Sequence, residues 1–188
     1  MNKFFNTIIS KISWKKAILF TMLFFAFFIL INYSGVGVKG LLDISSGSNI
    51  LDFEFGFNYG KAHKILAALG DEGRTFYLTK IMPLDFPFPF TYMLFYLGWI
   101  ALLLKHLRPR KQYKYLLFMP ILAMLFDWVE NIGIITMLLY YPNIPSWAVL
   151  LASIFGMLKT IFTIGSIAII GILFILLIYS SKQIRRCQ

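Results

Sequence analysis

Of the eight acidic residues in this 188-residue chain, two stand inside one of its most apolar runs. In LLFMPILAMLFDWVENIGIITMLLYY, Asp127, Glu130 and Asn131 fall at i, i+3 and i+4. That spacing puts all three on one face of a helix. An acid at the centre of a bilayer costs about 3 kcal/mol on insertion scales, so two acids there must face protein or water, find partners, or share protons. A partner lies in the next apolar run, at Lys159. The short turn YYPNIPS makes the two runs antiparallel neighbours. At about 1.5 Å per residue from that turn, Glu130 lies roughly 15 Å deep and Lys159 roughly 20 Å, a difference that a lysine side chain covers. Around the lysine, Gly156, Thr160, Thr163 and Ser166 form a small, polar stripe that suits close helix packing. The four residues read in two ways. They are a buried ion-pair and hydrogen-bond cluster that fixes helix register, or a proton-relay, ion or polar-substrate site.

A second group stands in GDEGRTFYLTKIMPLDFPFPFTY and comprises Arg74, Tyr77, Asp85 and Tyr92. Gly70 and Gly73 allow tight turns, and Arg74 brings a fixed cation with a planar fork. Asp85, Tyr92 and Tyr96, at i, i+7 and i+11, share a helix face that also holds Trp99. An Arg74–Asp85 bridge clamping an outer helix onto the bundle is expected here. The alternative is that Arg74 holds a lipid phosphate or a substrate carboxylate bidentately. Other chemistry has little support. His63 and His106 lie far apart, and the single cysteine, Cys187, excludes a multi-thiolate site, so neither metal nor cofactor is expected. No G-x-S-x-G, Walker or H-E-x-x-H pattern occurs. Ser45, Ser46 and Ser48 read as loop residues, and Trp14, Tyr92, Tyr140, Tyr141 and Trp147 as interfacial anchors.

The elements that must hold these residues are membrane spans. With 59% hydrophobic and 14% charged residues, the chain is too apolar to cover a soluble fold of its size. The expected class is an all-α membrane protein, a four-transmembrane-helix bundle in one domain. Its spans lie near 17–33, 84–104, 116–140 and 146–179, and an extracytoplasmic segment with short amphipathic helices occupies about 34–83. The first span reads as an uncleaved anchor, because it is long and no A-x-A site follows it. Within the outer segment, the alternating Phe53, Phe55 and Phe57 suggest extended or irregular chain. KAHKILAALG reads as an amphipathic helix with Ile65, Leu66 and Leu69 on one side and Gly70 as its stop. Asp71 is positioned to cap the next turn. Pro87 and Pro89 are tolerable near the start of span two, and the fourth run is longer than a bilayer needs.

The net charge of +10 follows from topology. Twelve basic residues lie in three places: the N-terminus, the loop from Lys105 to Lys114, and the C-terminal end at Lys182, Arg185 and Arg186. No acid lies among them. The outer segment balances five basic with five acidic residues. By the positive-inside rule both termini are cytoplasmic in a multi-pass protein of the cell membrane. The partners expected are the lipid bilayer and anionic lipid on its cytoplasmic face, and nucleic acid is not needed to explain the charge.

One resemblance spans most of the chain after residue 50. Asp52, Tyr59, the G-x-x-G-R-x-x-Y run at Gly70, Gly73, Arg74 and Tyr77, the D-x-x-F-P-x-x-Y run at Asp85, Phe88, Pro89 and Tyr92, and F-D-x-x-E-N at Phe126, Asp127, Glu130 and Asn131 form one pattern. It resembles that of a family of small, uncharacterised four-helix bacterial integral membrane proteins. The resemblance implies a shared architecture, in the bacterial inner membrane, and no particular reaction. Three functions stay open. The chain binds a lipid or small molecule in a polar intramembrane pocket. Or it is a membrane enzyme using Asp127 or Glu130 for acid–base chemistry on a lipid-borne substrate. Or it is an accessory subunit whose polar groups secure packing.

Overall fold

The computed structural model describes residues 2–45, 50–107 and 111–186, with side chains described at 3–45, 50–107 and 112–180. Ser46, Ser48, Arg108, Arg110 and Cys187, and the side chains of Lys111, Lys182, Arg185 and Arg186, fall outside that description. The protein is 88% helical, and no strand occurs among the described residues. Four stretches are long and apolar enough to cross a membrane: Trp14–Ile44, Gly70–Leu107, Gln112–Tyr140 and Ser146–Ser180.

Helix α1 (Asn2–Lys11) precedes the first of these stretches and is amphipathic. Phe5 and, just beyond the helix, Ile12 are buried, while Lys105 Nζ donates to the carbonyls of Ser10 at 3.0 Å and Ile12 at 2.7 Å. A cation thus satisfies free carbonyls at the end of α1. Helix α2 (Trp14–Tyr33) starts at Ser13, whose hydroxyl accepts from the Lys16 amide at 3.4 Å. Its outer side is a run of exposed Ile, Leu, Met and Phe, the surface a lipid-facing helix presents.

The segment after α2 opens with helix α3 (Val38–Ile44), and Leu51–Phe53 form a 3-10 turn followed by irregular chain through Phe55 and Phe57, the irregular and not the extended form of the two expected. The phenylalanine alternation builds no ladder, because no second strand lies beside it. Gly56 turns the chain at φ +77, and the Phe57 amide donates to Ser153 Oγ at 2.9 Å. Helix α4 (Tyr59–Ala68), capped by Asn58, buries Ala62, Ile65 and Leu66. Gly70, at φ +66, ends it in the left-handed conformation. Helix α5 (Gly70–Phe76) follows directly, and Asp71 does not cap it but pairs with Arg74.

A π-helical stretch (Tyr77–Ile81) and α6 (Met82–Asp85) continue the helical path. The second membrane stretch therefore begins well before residue 84. The path breaks at Phe86–Pro87 and resumes as α7 (Phe88–Leu107). Pro83 and Pro89 each sit at the second residue of their helix, where a missing N–H costs least. A 3-10 stretch (Lys111–Leu117) leads into α8 (Phe118–Tyr140), and a tight turn leads into α9 (Ser146–Arg186). At about 1.5 Å per residue, the 41 residues of α9 reach about twice the roughly 30 Å of a hydrocarbon core.

Two apolar cores result. One gathers α3, α4 and the π stretch against the end of α8 and the start of α9, through residues such as Leu41, Leu66, Ile81, Met137 and Ala152. The outer segment is thus docked into the bundle. The other packs α1, α2 and α7 on the start of α8 and the far half of α9. Asp52, Asp127, Glu130 and Lys159 belong to neither.

Candidate functional site

Side chains from four separated stretches meet around Lys159. Its Nζ stands 2.5 Å from Glu130 Oε2, 3.5 Å from Asp127 Oδ1 and 3.9 Å from Asp52 Oδ1. Two tyrosines complete the shell. Tyr92 donates its hydroxyl to Asp127 Oδ2 at 2.9 Å, and Tyr77 donates its hydroxyl to Asp52 Oδ2. Glu130 and Asn131 are fully buried, and Asp127 is 3% exposed. Charges held this far from water are retained through opposite charges and hydrogen bonds.

The backbone permits the arrangement by close approach. A Cβ on Gly156 would collide with Glu130 Oε1, so glycine lets the α9 backbone close over that carboxylate. A Cβ on Gly133 would lie 2.9 Å from the Ala148 carbonyl oxygen and 2.9 Å from Ala152 Cβ. The α8–α9 seam is therefore built on small residues at two levels. Asn131 and Trp128 have another task. Asp85 O has no helical donor four residues on, because that position is Pro89. Asn131 Nδ2 donates to it at 3.4 Å, and Trp128 Nε1 donates to Phe86 O at 2.9 Å. Helix α8 thereby supports the break between α6 and α7 that opens the site.

That break borders a cavity of about 290 Å³. Phe24 and Phe28 of α2, Phe88 of α7 and Ile164 of α9 supply apolar wall. Asp52, Asp85, Tyr92, Tyr96, Asp127, Lys159, Thr160 and Thr163 supply the polar part. Helices α2 and α9 both line the cavity, α2 packing chiefly on α7 and α9 chiefly on α8. Ile164 on its rim is 60% exposed, toward the apolar outside of the bundle. Glu130 does not line the cavity. It sits behind Lys159 against Gly156, whereas Asp127 faces the space.

The two groups singled out in the sequence are thus redistributed. Asp127, Glu130, Asn131 and Lys159 come together. Tyr77, Asp85 and Tyr92 join that centre and form no separate outer mouth. Tyr92 is accordingly a buried donor, 5% exposed, and not an interfacial anchor. The Arg74–Asp85 bridge is absent. Arg74 pairs with Asp71, donates to Leu66 O at 2.7 Å and lies over the Tyr141 ring at 3.9 Å. The cause is the unbroken helical path between the two residues, which sets them about 16 Å apart along the axis at 1.5 Å per residue. Trp99 turns to α2, donating to Thr21 Oγ1 at 3.0 Å.

Asp52 is the member that residue spacing does not reveal. Only its place in the L-D element of the sequence pattern hinted at it, since a 3-10 turn far from α9 in sequence delivers it to Lys159. No family model matches the chain, and no curated protein or solved structure shows significant similarity to it.

Proposed function

We propose that this is a multi-pass protein of the cell membrane that binds a lipid or small amphipathic molecule inside the bundle. The observation that carries the reading is the cavity itself. It joins an aromatic and aliphatic wall to a buried polar floor, the combination that a ligand with a hydrocarbon part and a polar head requires. Exposed Lys3, Lys11, Lys15 and Lys16 gather at the end of the bundle where Lys105 meets α1. That charge favours cytoplasmic termini and contact with anionic headgroups.

A second reading has one specific support. Tyr77, Asp52, Lys159, Asp127 and Tyr92 form a chain of neighbouring ionisable groups, of which all but Tyr77 line the cavity. In an enzyme, Asp127 is then the acid–base residue, and Glu130 holds Lys159 in place. The two readings share the cavity, and one substitution tests it. Thr163→Trp places an indole in the space and leaves every ion-paired residue unsubstituted. Organic extracts of purified protein should contain a bound amphiphile for the wild type and lose it in the variant. Equal recovery from a folded Thr163→Trp protein contradicts a bound ligand in this cavity.

A further inference from the structure

The charges around the cavity do not balance. Among the described residues, four carboxylates (Asp52, Asp85, Asp127 and Glu130) gather at or beside the cavity with one cation, Lys159. Three of the four are provided for. Glu130 takes the shortest contact to Lys159, Asp127 has both Lys159 and the Tyr92 hydroxyl, and Asp52 has the Tyr77 hydroxyl. Asp85 differs. It is 8% exposed, lines the cavity and makes no ion pair among the described residues. Asp52 Oδ1 and both Glu130 oxygens also lack a hydrogen-bond donor but belong to carboxylates paired with Lys159, whereas the buried Asp85 Oδ2 has neither donor nor cation. A buried carboxylate oxygen without a donor is a costly group in a folded protein, and a ligand in the adjoining space is placed to supply the missing donor.

The surroundings narrow the chemistry of that ligand. Phe88, Tyr92 and Tyr96 line the same cavity as Asp85, and aromatic faces attract an organic cation. Among the described residues no group of three metal-ligating side chains converges, so the site lacks the cage of a bare divalent ion. The walls at Phe24, Phe28 and Ile164 suit hydrocarbon. An anionic head would instead meet uncompensated carboxylates. Resting on the cavity reading above, we propose that the ligand is an amine-bearing amphiphile whose ammonium group binds at Asp85 while its hydrocarbon part lies along α2 and α9.

Three probes of equal chain length separate this claim from the cavity reading: decylamine, decanol and decanoate. Each is titrated into the purified full-length protein in maltoside micelles, with displacement of a photoreactive monoacylglycerol as the readout. Decylamine should displace it at least tenfold more tightly than decanol, and decanoate should be weakest. In Asp85→Asn, which keeps the side-chain shape, the amine-to-alcohol ratio should collapse toward one. Asp85→Glu, which keeps the charge, should restore a preference for the amine, and the wild-type ratio stands even if either variant fails to fold. Equal affinity of wild type for decylamine and decanol, or a preference for decanoate, overturns the cationic head while leaving the cavity reading intact. Failure of all three probes and of the monoacylglycerol to bind overturns both.

Discussion

Lys159 is the residue on which the buried carboxylates depend. Its side chain is 17% exposed and touches three acids on two other elements, so removing it leaves several negative charges without a counterion. Breaking a buried pair from one side costs about 3–5 kcal/mol, much of it the penalty of the orphaned charge. Lys159→Met should therefore lower stability by roughly that amount, measured by unfolding in mixed micelles. Glu130→Gln should cost less, because Asp127 and Asp52 still face the lysine. The double variant should recover about 0.5–3 kcal/mol relative to the sum of the single changes. Strict additivity would show that the two side chains do not interact in the membrane. Within the cluster the roles divide by what each group faces. Glu130 is enclosed by Gly156, while Asp85 and Asp127 look into the cavity.

Helices set those positions through contacts of backbone with backbone, and the α8–α9 seam is the clearest case. Gly133 and Gly156 leave no room for a side chain. Gly133→Leu should destabilise by about 1–3 kcal/mol or more, the usual cost of overpacking, whereas Gly171→Leu, with open space around it, should be near neutral. Matched unfolding curves for the two variants check this, and equal losses would mean that the seam is not close-packed. The same seam explains what the sequence makes legible. A regular helix fixes Asp127, Glu130 and Asn131 on one face, and a short turn fixes the register of Lys159 against them. Periodicity carries no such information across irregular chain. The delivery of Asp52 depends on a 3-10 turn and on docking of α3 and α4 against α8 and α9. The Arg74–Asp85 expectation failed for a related reason, since Gly70 and Gly73 suggested tight turns beside Arg74 where the chain keeps helical rise from Gly70 to Asp85.

At the scale of the molecule, four apolar stretches accompany one polar centre, whose Asp52, Asp127, Glu130 and Lys159 belong to neither apolar core. The exposed hydrophobic surface of α2 and α9 suits contact with lipid, and the proposed orientation rests on the basic end of the bundle. In a Cys187→Ser background, Phe55→Cys should react with an impermeant maleimide on intact cells, and Tyr113→Cys should react only after lysis. Both positions are exposed, so the reverse pattern would invert the topology. Residues of α2 and α9 line the cavity, with Ile164 exposed on the outside of the bundle, so the proposed ligand would enter sideways from the bilayer. Photocrosslinking tests that claim most directly. A diazirine-bearing monoacylglycerol is activated on the purified protein, and the labelled peptides are read by mass spectrometry. Labels should fall on the cavity wall at Phe28, Tyr92 and Thr163 and disappear in Thr163→Trp. Labels confined to outward residues such as Ile161 and Ile167, unchanged by that substitution, would contradict a ligand site within the bundle.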